Sequence, residues 1–140
     1  MAEGIMEEMI HKQSLGWKVD SAGTEYYHIG EMPDQRAIRV CSKYGIDITH
    51  QRARRITTND FKKFDLIYAL ADDVLDEVMS MTSPPLNGVK IKLLMDEVYP
   101  GEHRSVPDPW YGREKDFEPV FHMIREACDA IVRKYGDKSR

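Results

Sequence analysis

Cysteine is nearly absent from this sequence, which holds only Cys41 and Cys128. Two thiols so far apart cannot make the disulfide framework of a small secreted domain, so a reducing cytoplasmic setting is expected. Long apolar runs are missing too. No stretch approaches the length of a membrane span, and residues 1–16 mix Glu, His and Lys among their apolar positions. That excludes a spanning helix and a signal-peptide core, and implies a soluble protein with no membrane partner. Basic excess is also lacking. With a formal net charge of −4, the cluster Arg52, Arg54, Arg55, Lys62 and Lys63 reads as solvated surface, and no nucleic-acid partner is expected. The five histidines, His11, His28, His50, His103 and His122, are scattered with no cysteine at ligand spacing, which argues against a metal. Gly-x-Ser-x-Gly, Walker and Gly-x-Gly-x-x-Gly elements are absent as well. Esterase, nucleotide-hydrolase and dinucleotide chemistry therefore have no support, and no cofactor is expected.

What is present is an alternation of helical and strand-like stretches. A chain of 140 residues fits one domain, 1–140, able to bury about two thirds of its unfolded surface. Ile5, Met6, Met9 and Ile10 have helical spacing that ends near Gly16, and residues 17–20 alternate like a short strand. Pro33 and Asp34 open a helix carrying Ala37, Ile38, Val40, Cys41 and Tyr44, closed by Gly45. Thr57 and Asp60 form a variant capping box, and residues 65–70 are a short apolar run suited to a buried parallel strand. Asp72 and Asp73 favour a helix start, Ser83-Pro84-Pro85 a break, and residues 89–94 a further strand. Residues 98–112 read as loop. Phe117, Val120, Phe121, Ile124, Ala127, Cys128, Ile131, Val132 and Tyr135 then hold an apolar stripe along the last helix. The fold class expected is α/β, a three-layer sandwich with a short parallel sheet flanked by helices.

Chemistry concentrates in one segment. In Val106-Pro107-Asp108-Pro109-Trp110-Tyr111-Gly112 prolines on both sides of Asp108 restrict the backbone and hold the carboxylate out on a stiff loop. Taken alone, a plain turn explains the heptapeptide as well as a proton-transferring acid does. Cys41 and Cys128 lie in apolar helical stretches, where small thiols are inert packing groups.

Five segments occur together in a recognisable order: Ala2-Glu3-Gly4, Asp20-Ser21-Ala22-Gly23-Thr24, Gly30-Glu31-Met32-Pro33-Asp34, Phe64-Asp65-Leu66-Ile67 and Asp108-Pro109-Trp110-Tyr111-Gly112. Over residues 2–135 the sequence resembles the low-molecular-weight protein-tyrosine phosphatases. The resemblance implies hydrolysis of phosphotyrosine monoesters on a partner phosphoprotein through a phosphocysteine intermediate. It implies Asp108 as the general acid, with Tyr27 on one side of the substrate ring and Trp110 and Tyr111 on the other. Aromatic walls suit such a ring through stacking and apolar burial.

The sequence also departs from that family. Its nucleophile belongs to a Cys-x5-Arg loop between a first strand and a first helix, and these 140 residues contain no Cys-x5-Arg. A thiolate, helix N-terminal amides and an arginine fork are what phosphoryl transfer of this kind requires. The expectation is therefore an N-terminally truncated chain, with the family's first strand and phosphate loop absent and no activity as it stands. Leu70-Ala71 stands where many members have Met-Asp. The histidine that supports the phosphate loop corresponds to His50 or, one residue shifted, to Gln51. Two alternatives remain beside the phosphatase: a non-catalytic phosphatase-like binding module and, with less support, an arsenate reductase, which needs further redox cysteines.

Overall fold

Parallel strands cannot be joined by a tight turn, so each pair needs a crossover segment, and this chain supplies one. The computed structural model describes residues 1–25, 28–82 and 89–136. Its elements run α1 (Ala2–Lys12), α2 (Gln35–Lys43), α3 (Asp60–Lys63), β1 (Leu66–Ala69), α4 (Asp72–Ser80), β2 (Lys90–Leu93), a 3-10 turn (Leu94–Glu97) and α5 (Glu114–Tyr135). Strands β1 and β2 pair in parallel, Leu66 with Lys90 through Ala69 with Leu93, and α4 is the crossover that packs on both.

Side-chain alternation along the strands then divides the interior. Ile67 and Ile91 face Ile56, Phe61, Val74, Val78 and Val89 on the α4 side. Tyr68 faces the larger core made by α1, α2 and α5. The result is the expected α/β arrangement, a short parallel sheet flanked by helices. The stripe on α5 carries most of the larger core: Phe121 is fully buried and stacks on Tyr44 with ring centroids 4.6 Å apart. Glycine is required where α1 crosses residues 46–48, because a Cβ on Gly4 would lie 2.5 Å from Ile48 Cγ2. No described helix is long and apolar enough to cross a membrane.

Three expectations need correction. Residues 17–20 form no strand, because no described segment lies in register to share a hydrogen-bond ladder with them. Their alternation survives nonetheless, with Trp17 and Val19 packed inward and Lys18 and Asp20 exposed. Helix α1 ends at Lys12 rather than near Gly16. Ser14 adopts a left-handed φ of 53° and the Leu15 amide reaches back to the Ile10 carbonyl at 2.9 Å, a Schellman-type stop that turns Leu15 into the core. The strand expected over residues 89–94 is shorter at both ends, since Leu94 opens the 3-10 turn. Ser83-Pro84-Pro85 lies outside the described residues.

Candidate functional site

In open α/β sheets ligands bind beyond the carboxyl ends of the strands, and the loop carrying Asp108 docks there. The Val106 amide donates to the Leu70 carbonyl, one residue past β1, at 2.7 Å, and Val106 itself is buried in the larger core. The Ser105 hydroxyl accepts from the Asp72 amide at the start of α4, at 3.0 Å. From that anchor Pro107 and Pro109 project Asp108 into solvent. Asp108 Oδ1 accepts from the Trp110 amide at 3.0 Å, an Asx-type turn that fixes the carboxylate relative to its own loop. The loop closes at Gly112, whose amide donates to the Pro109 carbonyl at 2.8 Å. A Cβ on Gly112 would sit 2.5 Å from Asp116 Oδ2, the oxygen that caps the α5 N-terminus by accepting from the Arg113 amide.

Arg36 joins this loop to α2. Its guanidinium forks onto Asp34, the α2 N-cap, at 2.9 and 2.7 Å, and donates to the carbonyls of Gly112 at 2.7 Å and Trp110 at 3.0 Å. The same group lies 4.6 Å from the Phe117 ring centroid and 5.8 Å from that of Trp110. The Arg36 hydrogen bond holds the Asp34 carboxyl below the usual carboxylate range.

Trp110 is half exposed and Tyr111 wholly so. Trp110 and His28, 6.0 Å apart by ring centroid, border a cleft of about 580 Å³ lined also by Met32, Pro33 and Arg36. Asp108, Trp110 and Tyr111 are thus neighbours on one stiff loop. Tyr27 lies outside the described residues.

The motif segment at residues 20–24 meets the first turn of α1. The Ser21 hydroxyl donates to Glu3 at 2.6 Å, and Arg54 bridges Asp20 at 3.1 Å and Asp60 at 3.0 Å. Of the two candidates near α1, His50 is exposed and stands 3.9 Å from Glu7. The Gln51 side-chain nitrogen is buried without a partner among the described residues, 3.3 Å from where a Gly4 Cβ would be. Gln51, not His50, therefore faces the start of α1.

Neither cysteine is placed for chemistry. Both are buried, and burial pushes the Cys41 thiol up and that of Cys128 up to about 12. No group of three or more His, Cys, Asp or Glu among the described residues could hold a metal ion. Sequence reasoning missed the Arg36 fork, the Glu3–Ser21 link and the Arg54–Asp60 pair. Only Asp34 at a helix start with an arginine two residues later hinted at the first.

The parallel α/β layer is shared with solved phosphatases. A protein tyrosine phosphatase from Entamoeba histolytica superposes with a TM-score of 0.89 at 30% identity, covering 99% of this chain and 89% of that one. A Drosophila arginine phosphatase does so with a TM-score of 0.88 at 29% identity, over 96% and 87%. The human low molecular weight phosphotyrosine protein phosphatase is 32% identical over 137 residues, 96% of this chain and 85% of its own length. The family model for low molecular weight phosphotyrosine protein phosphatases matches residues 1–139. The chain belongs to that family.

Proposed function

We propose that this domain hydrolyses phosphotyrosine monoesters on proteins through a phosphocysteine intermediate once a Cys-x5-Arg phosphate loop stands against α1, and that Asp108 is its general acid. The observation that carries the assignment of the acid is the setting of Asp108. Its carboxylate is exposed, braced by its own Asx turn, and neighboured by the exposed rings of Trp110 and Tyr111, which with Tyr27 would flank the substrate ring. Tyrosine leaves as a phenolate of pKa about 10. Protonating it in the transition state is worth about 10²–10⁴-fold, and the same aspartate, once deprotonated, can take a proton from the water that hydrolyses the phosphocysteine.

The 140 residues by themselves hold no Cys-x5-Arg. Loss of a covalent nucleophile in comparable machinery costs about a millionfold, so this polypeptide alone is expected to release no phosphate from aryl phosphates above buffer. Vanadate-sensitive turnover at ordinary enzyme rates would refute that. With a Cys-x5-Arg loop present, Asp108→Asn should slow phenyl phosphate by about 10²–10⁴-fold and electron-poor aryl phosphates far less. A uniform loss across leaving groups would show Asp108 to be a turn residue only.

The second reading is a non-catalytic module that binds phosphorylated partners, but without Cys-x5-Arg its main anion clamp is missing as well, so weak binding is expected. Titrating the 140-residue protein with a phosphotyrosine peptide decides between them. Micromolar affinity supports the module, and no binding leaves the enzyme reading.

A further inference from the structure

We infer that Arg36 is the positioning residue of the acid loop: through the carbonyls of Trp110 and Gly112 it fixes the backbone on which Asp108 is carried, without bonding the Asp108 carboxylate itself. The catalytic consequence rests on Asp108 being the acid.

A loop rich in proline is stiff along its own length, but stiffness does not aim it. The anchors at Val106 and Ser105 hold the incoming side to the end of β1 and the start of α4. Past Asp108 the chain runs over the surface, with Trp110 half exposed and Tyr111 fully so. The outgoing side therefore needs another tether, and Arg36 is placed to be it. Two separate guanidinium nitrogens grip two carbonyls, those of Trp110 and Gly112, at 3.0 and 2.7 Å. A planar fork that bonds two acceptors fixes orientation as well as distance.

Arg36 is in turn held from three directions. Asp34 takes its Nε and Nη2, the Phe117 ring at the start of α5 packs under it, and its own amide bonds the Asp34 carboxylate at the head of α2. The tether thus runs from two packed helices to the loop. The choice of acceptors suits an acid. Were the guanidinium to pair with Asp108 directly, it would favour the ionised carboxylate and oppose the protonated form that a general acid needs. Here the charge of Arg36 is matched chiefly by Asp34, its pull on Asp108 is the weaker Coulombic one, and the loop is reached through neutral carbonyls. Lysine cannot substitute, since a single ammonium on a flexible stem does not span Asp34 and two carbonyls in one plane.

The test has two arms. In the 140-residue protein, Trp17→Phe leaves Trp110 as the only indole. Arg36→Met should then raise acrylamide quenching of Trp110 about twofold, because half of its surface is covered in the parent. Arg39→Met, which removes an equal charge from α2 and breaks the pair with Glu114 but touches neither the Trp110 nor the Gly112 carbonyl, should not. Arg36→Lys keeps the charge and should reproduce the Met result, so a folding defect of Arg36→Met does not block the experiment. Unchanged quenching in the Lys variant overturns the inference.

The second arm uses a form of the protein in which a Cys-x5-Arg loop stands against α1. Misplacing a reacting group by about an ångström costs about 10²-fold, so Arg36→Lys should slow phenyl phosphate by that order and electron-poor aryl phosphates little. Combined with Asp108→Asn it should cost no more than Asp108→Asn alone. Equal losses on all leaving groups, or additive losses in the double variant, overturn the positioning role. A flat leaving-group series for Asp108→Asn itself overturns the general-acid reading, and the quenching arm then still decides whether Arg36 holds the loop.

Discussion

The two sides of the sheet are held together differently. On the α1, α2 and α5 side, apolar side chains including Phe121, Ile124, Ile5 and Ile48 form the larger buried cluster of the described residues. On the α3 and α4 side the buried cluster is Ile56, Phe61, Val78 and Val89, and much of the fixing is polar. Arg54 ties Asp60 to Asp20, Asp60 takes the Thr57 amide at 2.8 Å, and Ser105 takes the Asp72 amide. The candidate acid loop leaves the first cluster at Val106 and is then held chiefly by polar tethers, with Trp110 half-buried against His28 and Arg36. Packing without direction suffices to make a core, whereas a carboxylate that must meet one oxygen of a substrate needs hydrogen bonds, which have direction.

The largest effect expected from this difference lies in the helical core. Phe121→Ala should cost about 3–5 kcal/mol, as for other buried large-to-small changes, much of a typical stability of about 5–15 kcal/mol. Denaturant titration measures it, and alkylation of Cys41 and Cys128, slow in the folded parent because both thiols are buried, should accelerate in parallel. A loss below about 1 kcal/mol would mean that the helices are held by something other than this packing.

A smaller effect is expected across the sheet. Asp60 is a buried charged residue on the α3 and α4 side. Asp60→Asn keeps the shape but surrenders the charge-assisted bonds to Arg54, with an expected cost of about 1–3 kcal/mol. Loss of Trp110 protection without loss of global stability in this variant would instead make Asp60 part of the loop's support.

These two regions were also unequally legible in the sequence. The stripe from Phe117 to Tyr135 follows from periodicity, and β1, trimmed to Leu66–Ala69, from a short apolar run, because burial is a local pattern. Helix α4 began at Asp72 as its acidic first turn implied. The alternation at residues 17–20 was real, but whether it becomes a strand depends on a partner's register, which no local pattern carries. The 106–112 segment was legible because proline acts on its own backbone. The Arg36 tether was not, since its acceptors lie more than seventy residues away and carbonyls have no sequence signature. Gln51 rather than His50 faces the start of α1 for the same reason, being settled by how residues 46–51 cross the helix.

The smallest expected effect, and the one that separates polar tethers from apolar packing most cleanly, is acid sensitivity. Burial pushes the Asp60 carboxyl up, but Arg54 and Thr57 outweigh it and hold it below the usual carboxylate range. The hydrogen bond from Arg36 does the same for Asp34. A group whose pKa is lower in the folded than in the unfolded chain leaves the unfolded state binding more protons, so stability rises with pH across that interval. The contribution is complete above the unfolded aspartate value of about 3.9, and it drains as pH falls through the depressed folded values. Denaturant midpoints measured from neutral pH downward should therefore fall steeply below about pH 4, and Asp60→Asn or Asp34→Asn should each flatten that fall. Phe121→Leu, which alters packing and no proton, should shift the whole curve and leave its slope intact. Equal slopes in the parent and both aspartate variants would show that neither the Asp60–Arg54 tether on the α3 side nor the Asp34–Arg36 tether at the head of α2 contributes to folding.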